Sequence, residues 1–292
     1  MDAPLTERVG RGVRRLALRT PTLPPATHTN CYLVGEADFV VVEPASPWGP
    51  EQALLDAAVE ARVALGHRLV AAVVTHHHRD HVGGAAALRA RRRVPVLAHG
   101  YTRDRVAHDG LSIDGVIEQG SVLPAPLAAL GVEALHTPGH AAGHLCLWSR
   151  DGGWMIAGDM VASVGTIVID PDDGGDMTAY LDSLAAMRAV TPRSLLPAHG
   201  DPIDDALGKI DEYVRHREGR EAKVLSALGD GWSELDTVVA GAYRDAPKAL
   251  WPLAARSARA HLARLEARGL ARGEGDGAGR RWARASAAKD DR

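Results

Sequence analysis

The chain has few of the features that would identify a disulfide-stapled, membrane-spanning or nucleic-acid-packaging protein. Only two of its 292 residues are cysteine, which excludes the disulfide framework of small secreted domains. No apolar run approaches the ~20 residues that cross a bilayer. The start, Met-Asp-Ala-Pro, lacks a basic segment followed by an apolar one. The formal net charge of −3 favours neither nucleic acid nor a membrane surface as a partner. We therefore expect a soluble cytoplasmic protein that contacts no membrane.

The two cysteines, Cys31 and Cys146, each lie in an apolar stretch that is typical of a buried strand. The simplest interpretation is that both are small core residues in a reducing compartment. A disulfide between them has no support in the sequence.

Apolar patterning predicts a mixed α/β chain that can bury a large core. A hairpin is expected over 30–42, an amphipathic helix over 50–65 and a buried strand over 69–74. Helix and strand alternate up to about residue 98, and mostly strands follow from about residue 112.

The tract 76–81 is the most informative stretch, because His76, His78, Asp80 and His81 form an H-x-H-x-D-H pattern directly after a predicted strand. Side chains alternate along an extended segment, so His76 and His78 should point to one side. A turn into a helix would bring Asp80 and His81 towards the same cavity. Imidazole and carboxylate are the ligands that zinc, iron and manganese accept. The pattern therefore predicts a site for two divalent cations.

Three further residues of metal-binding type each follow a predicted strand at a turn of small residues. His140 ends a Thr-Pro-Gly-His turn, Asp159 an Ala-Gly-Asp turn and His199 a Pro-Ala-His turn. Such repeated placement of single metal-binding residues is hard to attribute to chance.

These seven residues, in this order, resemble the ligand set of the metallo-β-lactamase superfamily. The resemblance spans nearly the whole chain and implies an α/β fold, a four-layer αββα sandwich with the site at the edges of its sheets. It implies two zinc ions, with iron or manganese as alternatives. It also implies that His76, His78 and His140 hold one ion and that Asp80, His81 and His199 hold the other. Asp159 would bridge the two ions.

Later stretches resemble the β-lactamase-like protein 2 group of that superfamily. They are 165–170, 180–184, 209–213 with 216–218, and His144, which follows His140 by four residues. Animal members of the group are described as mitochondrial endoribonucleases that act on single-stranded RNA, whereas many bacterial members have no assigned substrate. The resemblance therefore implies single-stranded RNA as a substrate.

The end of the chain predicts three helices followed by a hairpin with a glycine-rich turn, which is a winged-helix arrangement. The helices are expected over 220–228, 233–242 and 252–268. We accordingly predict a catalytic domain over 1–214 and a winged-helix domain over 215–292.

The winged-helix domain is the basic end of the chain. Residues 215–292 hold 16 basic and 11 acidic side chains, against 18 and 26 in residues 1–214. Seven of its arginines could grip a phosphate backbone without reading bases: Arg256, Arg259, Arg264, Arg268, Arg280, Arg281 and Arg284. The alternatives are that the domain is a packing lid or the contact of a homodimer.

Two cations that share a water lower its pKa towards about 7, which makes hydroxide available at neutral pH. Asp80 is the candidate to orient that hydroxide and to pass a proton to the leaving group. His144 has two roles left open: it binds substrate by holding a phosphate or carbonyl oxygen, or it makes a supporting hydrogen bond. Glu43 is given no chemical role.

The sequence thus predicts a dinuclear zinc hydrolase, with phosphodiesters of single-stranded RNA slightly preferred as substrate. A small ester, thioester or lactone is the alternative, which the acidic charge of residues 1–214 favours. A single-iron persulfide dioxygenase shares much of the motif. A non-catalytic protein that binds nucleic acid or senses metal is the alternative from another class, and the complete ligand set argues against it.

Overall fold

The structure is a computed structural model and describes residues 5–285. Within that range, seven strands form the first sheet in chain order. They are β1 (Glu7–Gly10), β2 (Val13–Arg19), β3 (His28–Val34), β4 (Asp38–Val42), β5 (Arg68–Val73), β6 (Val96–Ala98) and β7 (Gly115–Val116). The first four pair antiparallel and the last four pair parallel. The expected hairpin over 30–42 is confirmed by β3 and β4.

Four strands form the second sheet in the same part of the chain, in the order β11-β10-β9-β8. They are β8 (Val132–His136), β9 (Leu145–Ser149), β10 (Trp154–Gly158) and β11 (Ser194–Pro197). Neighbours in this sheet are antiparallel except β10 and β11. That one parallel pair requires a crossover, which a helix supplies.

Helices cover the outer faces of both sheets. Those of the first part of the chain are α1 (Gly49–Val63), α2 (Arg79–Val82), α3 (Ala85–Arg92), α4 (Gly100–Ala107), α5 (Ala125–Ala128) and α6 (Met177–Ala189). The later ones are α7 (Ala206–Ala227), α8 (Leu235–Ala242) and α9 (Trp251–Ala267). None of the helices within residues 5–285 combines the length and the apolar character needed to cross a bilayer.

The alternation of side chains along β4 shows how the layers are built. Phe39 and Val41 pack with α1 and α3 on the outer face, and Val40 and Val42 pack against the second sheet. On its far side the second sheet packs against α6 and α7. A strand that is apolar on both faces is expected where a sheet is covered on both sides. The predicted αββα sandwich is confirmed.

Cys31 lies in β3 and Cys146 in β9, and each packs between its own sheet and the helices that cover that sheet. Both are fully buried, and within the described residues both are free thiols. Burial raises the pKa of the Cys146 thiol to about 12. The prediction that they are core residues is confirmed.

The winged-helix arrangement is also confirmed by the packing of α7, α8 and α9 with β13 (Ala271–Glu274) and β14 (Arg281–Arg284). A short strand, β12 (Ser233–Glu234), pairs with β14 and completes the small sheet. The first helix differs from the expectation. It begins at Ala206 rather than at Arg220, so the predicted domain boundary at 214/215 falls inside one continuous helix.

The seven arginines proposed to grip a phosphate backbone all bond to acceptors within the chain. Arg264 and Arg268 contact Glu221, and Arg256 and Arg259 contact Asp170. Arg280 pairs with Glu266 and Arg281 with Glu274, and Arg284 donates to the carbonyl oxygen of Leu225. Six of the seven arginines therefore pair with a carboxylate, but Glu221 and Asp170 are each shared by two of them, so the domain keeps its excess of 16 basic over 11 acidic side chains.

Changing Glu221 to glutamine should destabilise the winged-helix domain. Burial by itself raises the pKa of Glu221, but the neighbouring His261, whose Nδ1 lies 3.7 Å away, and a hydrogen bond from Arg264 outweigh it and hold the pKa at about 2, against an ordinary 4.5. The carboxylate therefore stabilises the fold above pH 4.5 and ceases to do so as the pH falls towards 2. We expect Glu221→Gln to lower the free energy of unfolding at pH 7 by about 1.5–3 kcal/mol.

Urea denaturation at pH 7 and at pH 3 measures this effect. The mutant deficit should be smaller at pH 3 than at pH 7. Glu218→Gln, which changes an exposed residue of the same helix, is the control and should be neutral. An equal deficit at both pH values would contradict the ionic origin of the effect.

Candidate metal centre

The tract 76–81 leaves the end of β5 and turns into α2. His76 follows the strand, His78 is the residue that precedes α2, and Asp80 and His81 lie within that helix. His76 and His81 are fully buried. The change from strand to helix turns the four side chains towards one point, as the pattern predicts.

The other three residues reach the same point from the second sheet. His140 lies in the turn between β8 and β9, Asp159 directly follows β10, and His199 lies two residues beyond β11. These strand ends lie at one edge of the sheet, because β9 is antiparallel to β8 and β10 while β11 is parallel to β10. A backbone hydrogen bond of 3.0 Å from Leu145 to Thr75 joins this edge to the end of β5.

The first group of ligand atoms comes from His76, His78, His140 and Asp159. His78 Nδ1 lies 2.9 Å from Nε2 of His76 and 2.9 Å from Nε2 of His140. Asp159 Oδ2 lies 3.5 Å from His140 Nε2. All four ligand atoms lie within 4.8 Å of one another.

The second group comes from Asp80, His81 and His199, and Asp159 borders it as well. Asp159 Oδ1 lies 3.6 Å from His81 Nε2 and 3.4 Å from His199 Nε2. Asp80 Oδ2 lies 3.6 Å from His199 Nε2. Asp159 therefore turns one oxygen to each group, which is the arrangement that a bridging carboxylate requires.

The ligand atoms of the second group are placed to bind a cation rather than to hydrogen-bond to one another. Among the described residues, His81 Nε2 and Asp159 Oδ1 are buried and have no hydrogen-bond partner. Zinc bonds of 2.0–2.1 Å in tetrahedral geometry separate neighbouring ligand atoms by about 3.3 Å. The spacings of 3.4 to 3.6 Å are close to that value. The residues thus fit a divalent metal centre.

The electrostatics of the two groups differ. Burial, together with the neighbouring His78, lowers the pKa of His140 to about 4, and burial lowers the pKa of His76 well below its usual range. Both rings are therefore neutral at pH 7, with a lone pair free for a cation. Burial also acts to lower the pKa of His81, but Glu43, Asp159 and Asp80 outweigh it and raise the pKa well above the usual range. Surplus negative charge in the second group favours a cation there.

A cavity of about 570 Å³ opens from the two groups of ligands. His78, Asp80, His140, Asp159 and His199 line its inner end. The loops 21–26 and 162–168 form two of its walls, and the winged-helix domain closes it with Leu250, Leu253 and Ala254. The cavity is therefore shared by both parts of the chain.

Residues 24–199 match the family model described as the metallo-beta-lactamase superfamily. The chain belongs to this superfamily. Residues 235–282 match a second family model, the beta-lactamase associated winged helix domain. Superfamily membership and the ligand cluster together make the protein a metal-dependent hydrolase, as predicted.

Relatives and solved structures within the superfamily cover 77 to 96% of the chain. The "Beta-lactamase-like protein 2 homolog" of Drosophila melanogaster is 28% identical over 92% of this chain and 92% of its own length. The "Lactamase-like protein nscB" of Trichophyton rubrum is 31% identical over 77% of this chain and 65% of its own length. The crystal structure of a beta-lactamase domain protein from Burkholderia ambifaria shares the fold, with a TM-score of 0.81 at 23% identity over 96% of this chain and 93% of that one. A metallo-beta-lactamase family protein from Thermus thermophilus does so with a TM-score of 0.76 at 20% identity, over 94% and 99% of the two chains.

Four of the candidate ligand histidines turn one ring nitrogen to the site and have an oxygen partner on the other. Such contacts fix ring orientation in metal centres and raise the basicity of the ligand. His140 Nδ1 bonds to the carbonyl oxygen of Val168 at 2.8 Å, and His199 Nδ1 to that of His28 at 2.9 Å. His78 Nε2 lies 2.9 Å from Asp173 Oδ2, and His81 Nδ1 bonds to Glu43.

Glu43 is the residue that sequence reasoning missed, since it was given no chemical role. It is fully buried after β4 and has a left-handed backbone, with φ of 60°. Its carboxylate accepts hydrogen bonds from the backbone N–H of Thr75, at 2.6 Å, and from His81 Nδ1. A carboxylate that directly follows the buried apolar run 39–42 needs buried partners, and that need was the available signal.

His144 supports the backbone of Asp159 and is not among the residues that line the cavity. Its ring is fully buried. Nε2 accepts a hydrogen bond of 3.0 Å from the backbone N–H of Asp159, and Nδ1 pairs with the Thr137 hydroxyl at 2.8 Å. A Cβ on Gly158 would lie 2.4 Å from His144 Nε2, so glycine is required at that approach. The geometry supports the hydrogen-bonding role of the two left open, and gives His144 no contact with a substrate.

Proposed function

We propose that the protein is a dinuclear zinc hydrolase of small acyl substrates, an ester, thioester or lactone with an apolar body. The observation that carries this proposal is the cavity beside the ligands. Its walls are formed mainly by apolar side chains, and three of these, Leu23, Val164 and Leu250, are 40 to 51% exposed. Burying such side chains against a hydrocarbon group is favourable at about 25 cal/mol per Å².

His76, His78 and His140 would hold one zinc ion and Asp80, His81 and His199 the other, with Asp159 shared. Bound there, the two ions would act as Lewis acids and lower the pKa of water towards about 7. Asp80 lines the cavity and its side chain is 15% exposed. It can therefore hold a proton next to the scissile bond and deliver it to the leaving group. The apolar walls exclude bulk water and position the acyl group.

Cleavage of single-stranded RNA, the substrate slightly preferred from the sequence, is the second candidate. Arg256 supports it, because its side chain lines the cavity and is 53% exposed. The ion pairs of the winged-helix arginines oppose it, since a phosphate backbone would compete with carboxylates that already contact these side chains. We propose that the protein works in the cytoplasm, a compartment that suits its two free thiols.

Hydrolysis by the zinc-loaded protein tests the substrate class. The panel comprises acyl thioesters and lactones of increasing chain length beside a single-stranded RNA, with Asp80→Asn as the blank. We expect turnover of acyl substrates that rises with chain length, and intact RNA. Cleavage of the RNA that Asp80→Asn abolishes, without acyl turnover, would make the second candidate correct.

Filling the cavity should act on long acyl chains selectively. Leu253 is a partly buried residue of α9 in the cavity wall. We expect Leu253→Trp to reduce kcat/KM for a long acyl chain by about 10-fold or more and to leave an acetyl substrate nearly unchanged. Leu270→Trp, at a residue that is 38% exposed and outside the cavity lining, is the control. Equal losses for both chain lengths would mean that the wall does not contact the acyl group.

A further inference from the structure

The segment 163–176, here called the bridge loop, connects the turn of Asp159 to α6 and supports two ligands of the first group. His140 Nδ1 bonds to the carbonyl oxygen of Val168 in this loop at 2.8 Å. His78 Nε2 lies 2.9 Å from Oδ2 of Asp173 in the same loop. The opposite nitrogens, His140 Nε2 and His78 Nδ1, are the ones that face the candidate metal position. The orientation of two rings thus depends on one loop.

Asp173 joins several neighbours at this point. Oδ1 lies 3.2 Å from His77 Nε2 and 2.5 Å from the guanidinium of Arg105 in α4. The side chain of Asp173 therefore contacts three basic residues, His77, His78 and Arg105. It is about one-third exposed at 33% and is not one of the seven ligands. Its contacts are those of a residue that orients His78.

The bridge loop is in turn held by the winged-helix domain. Arg259 in α9 forms ion pairs with Asp170 at 3.3 Å and with Asp172 at 2.7 Å, and Arg256 pairs with Asp170 at 3.2 Å. Ser257 Oγ accepts a hydrogen bond from the backbone N–H of Ile169 at 3.4 Å. These contacts come from one face of α9.

Asp170 connects this grip to Asp173. Its Oδ1 accepts from the backbone N–H of Asp172 at 3.1 Å and so caps the short 3₁₀ turn Pro171–Asp173. Gly175 closes the turn tightly, because a Cβ there would lie 2.6 Å from the backbone of Asp170. The residue that α9 binds is therefore the cap of the turn that carries Asp173.

We propose that the winged-helix domain sets the geometry of the first ligand group through the bridge loop, with Asp173 as a positioning residue for His78. Arg256 and Arg259 fix Asp170, the cap fixes Asp173, and Asp173 fixes the ring of His78. This assigns the two arginines a role in metal binding rather than in binding phosphate. The inference rests on the metal centre of the proposed function and is independent of its substrate.

Zinc affinity tests the chain of contacts. Competition with a chromophoric chelator gives the affinity of each site in Asp173→Asn, in the double variant Arg256→Gln/Arg259→Gln and in the unmodified protein. We expect Asp173→Asn to weaken zinc binding at one of the two sites, that of the first ligand group, by about 10- to 100-fold. This is the range for loss of a residue that orients a metal ligand. The double variant should also weaken zinc binding at this site. Asp173→Glu, which keeps a carboxylate, should bind zinc more tightly than Asp173→Asn.

Two controls separate this effect from general destabilisation. Arg281→Gln removes a comparable surface pair, with Glu274 at 3.1 Å, and should leave zinc affinity unchanged. The thermal midpoint of each metal-free variant shows that the protein remains folded. The absorption spectrum of the cobalt-substituted protein should change in Asp173→Asn and in the double variant, but not in Arg281→Gln.

The outcomes are distinct. Zinc affinity and cobalt spectra that are unchanged in both variants, with two ions bound to the unmodified protein, would overturn this inference and leave the proposed function standing. An effect of Asp173→Asn alone would overturn the part assigned to the winged-helix domain. An unmodified protein that binds no zinc would overturn both the inference and the proposed function.

Discussion

Asp80→Asn is expected to lower kcat by about 10²- to 10⁴-fold, the range for removal of a positioned acid–base group. The amide has the shape of the carboxylate but cannot take up and release the proton that the leaving group needs. Asp80 is one of the inner lining residues of the cavity, and Oδ2 lies 3.6 Å from His199 Nε2. The measurement is turnover of the best acyl substrate at saturating zinc, with metal content determined on the same sample.

The control for this variant is Asp109→Asn, which changes an exposed aspartate away from the cavity lining. It should keep full activity. If Asp80→Asn binds both ions and retains kcat within about threefold, the proton-transfer role belongs to another group, and Asp80 acts only as a ligand.

Glu43→Ala should cause the largest loss of stability among single substitutions at the site. It removes the acceptor for Thr75 N–H and for His81 Nδ1, both of which are fully buried. Breaking a buried ionic pair by removing one partner costs about 3–5 kcal/mol. We expect a decrease of that size in the free energy of unfolding of the metal-free protein, measured by urea denaturation, and a smaller decrease for Glu43→Gln.

Glu36→Ala is the matched control, because Glu36 is exposed in the turn between β3 and β4. Its effect should lie within about 0.5 kcal/mol of zero. Zinc affinity of Glu43→Gln adds a second readout, since the amide can still accept a hydrogen bond from His81. Wild-type stability in Glu43→Ala would show that the buried carboxylate is not needed to hold the ring.

The candidate ligands could be predicted because each is local to the end of a strand. An apolar run followed by His76 or Asp159 is visible in the sequence, and the order of the turns gives the site its family resemblance. The groups that orient the ligands have no such signature. Val168 contributes a backbone carbonyl, and Asp173 belongs to a loop whose path only the tertiary structure defines.

The winged-helix arginines show a second limit of sequence reasoning. Counting charges suggests a free basic surface, yet Arg264 pairs with Glu221, 43 positions earlier in the chain. Partners at such separations follow from the packing of α7 on α9 and not from local pattern. The continuity of α7 was missed for a related reason. Gly219 and the polar residues around it suggest a break, but this helix is stabilised by packing against both parts of the molecule.

The length of the continuous helix α7 determines how the winged-helix domain is rotated about the helix axis relative to the catalytic sandwich. An α-helix turns by about 100° per residue, and α7 runs unbroken from the catalytic sandwich into the winged-helix domain. The number of residues in this helix therefore fixes the direction in which Leu250, Leu253 and Arg259 face the cavity and the bridge loop. Insertion of whole helical turns into α7 would only lengthen the molecule. Insertion or deletion of one or two residues would rotate the winged-helix domain around the helix axis, and the cavity would then have a different shape.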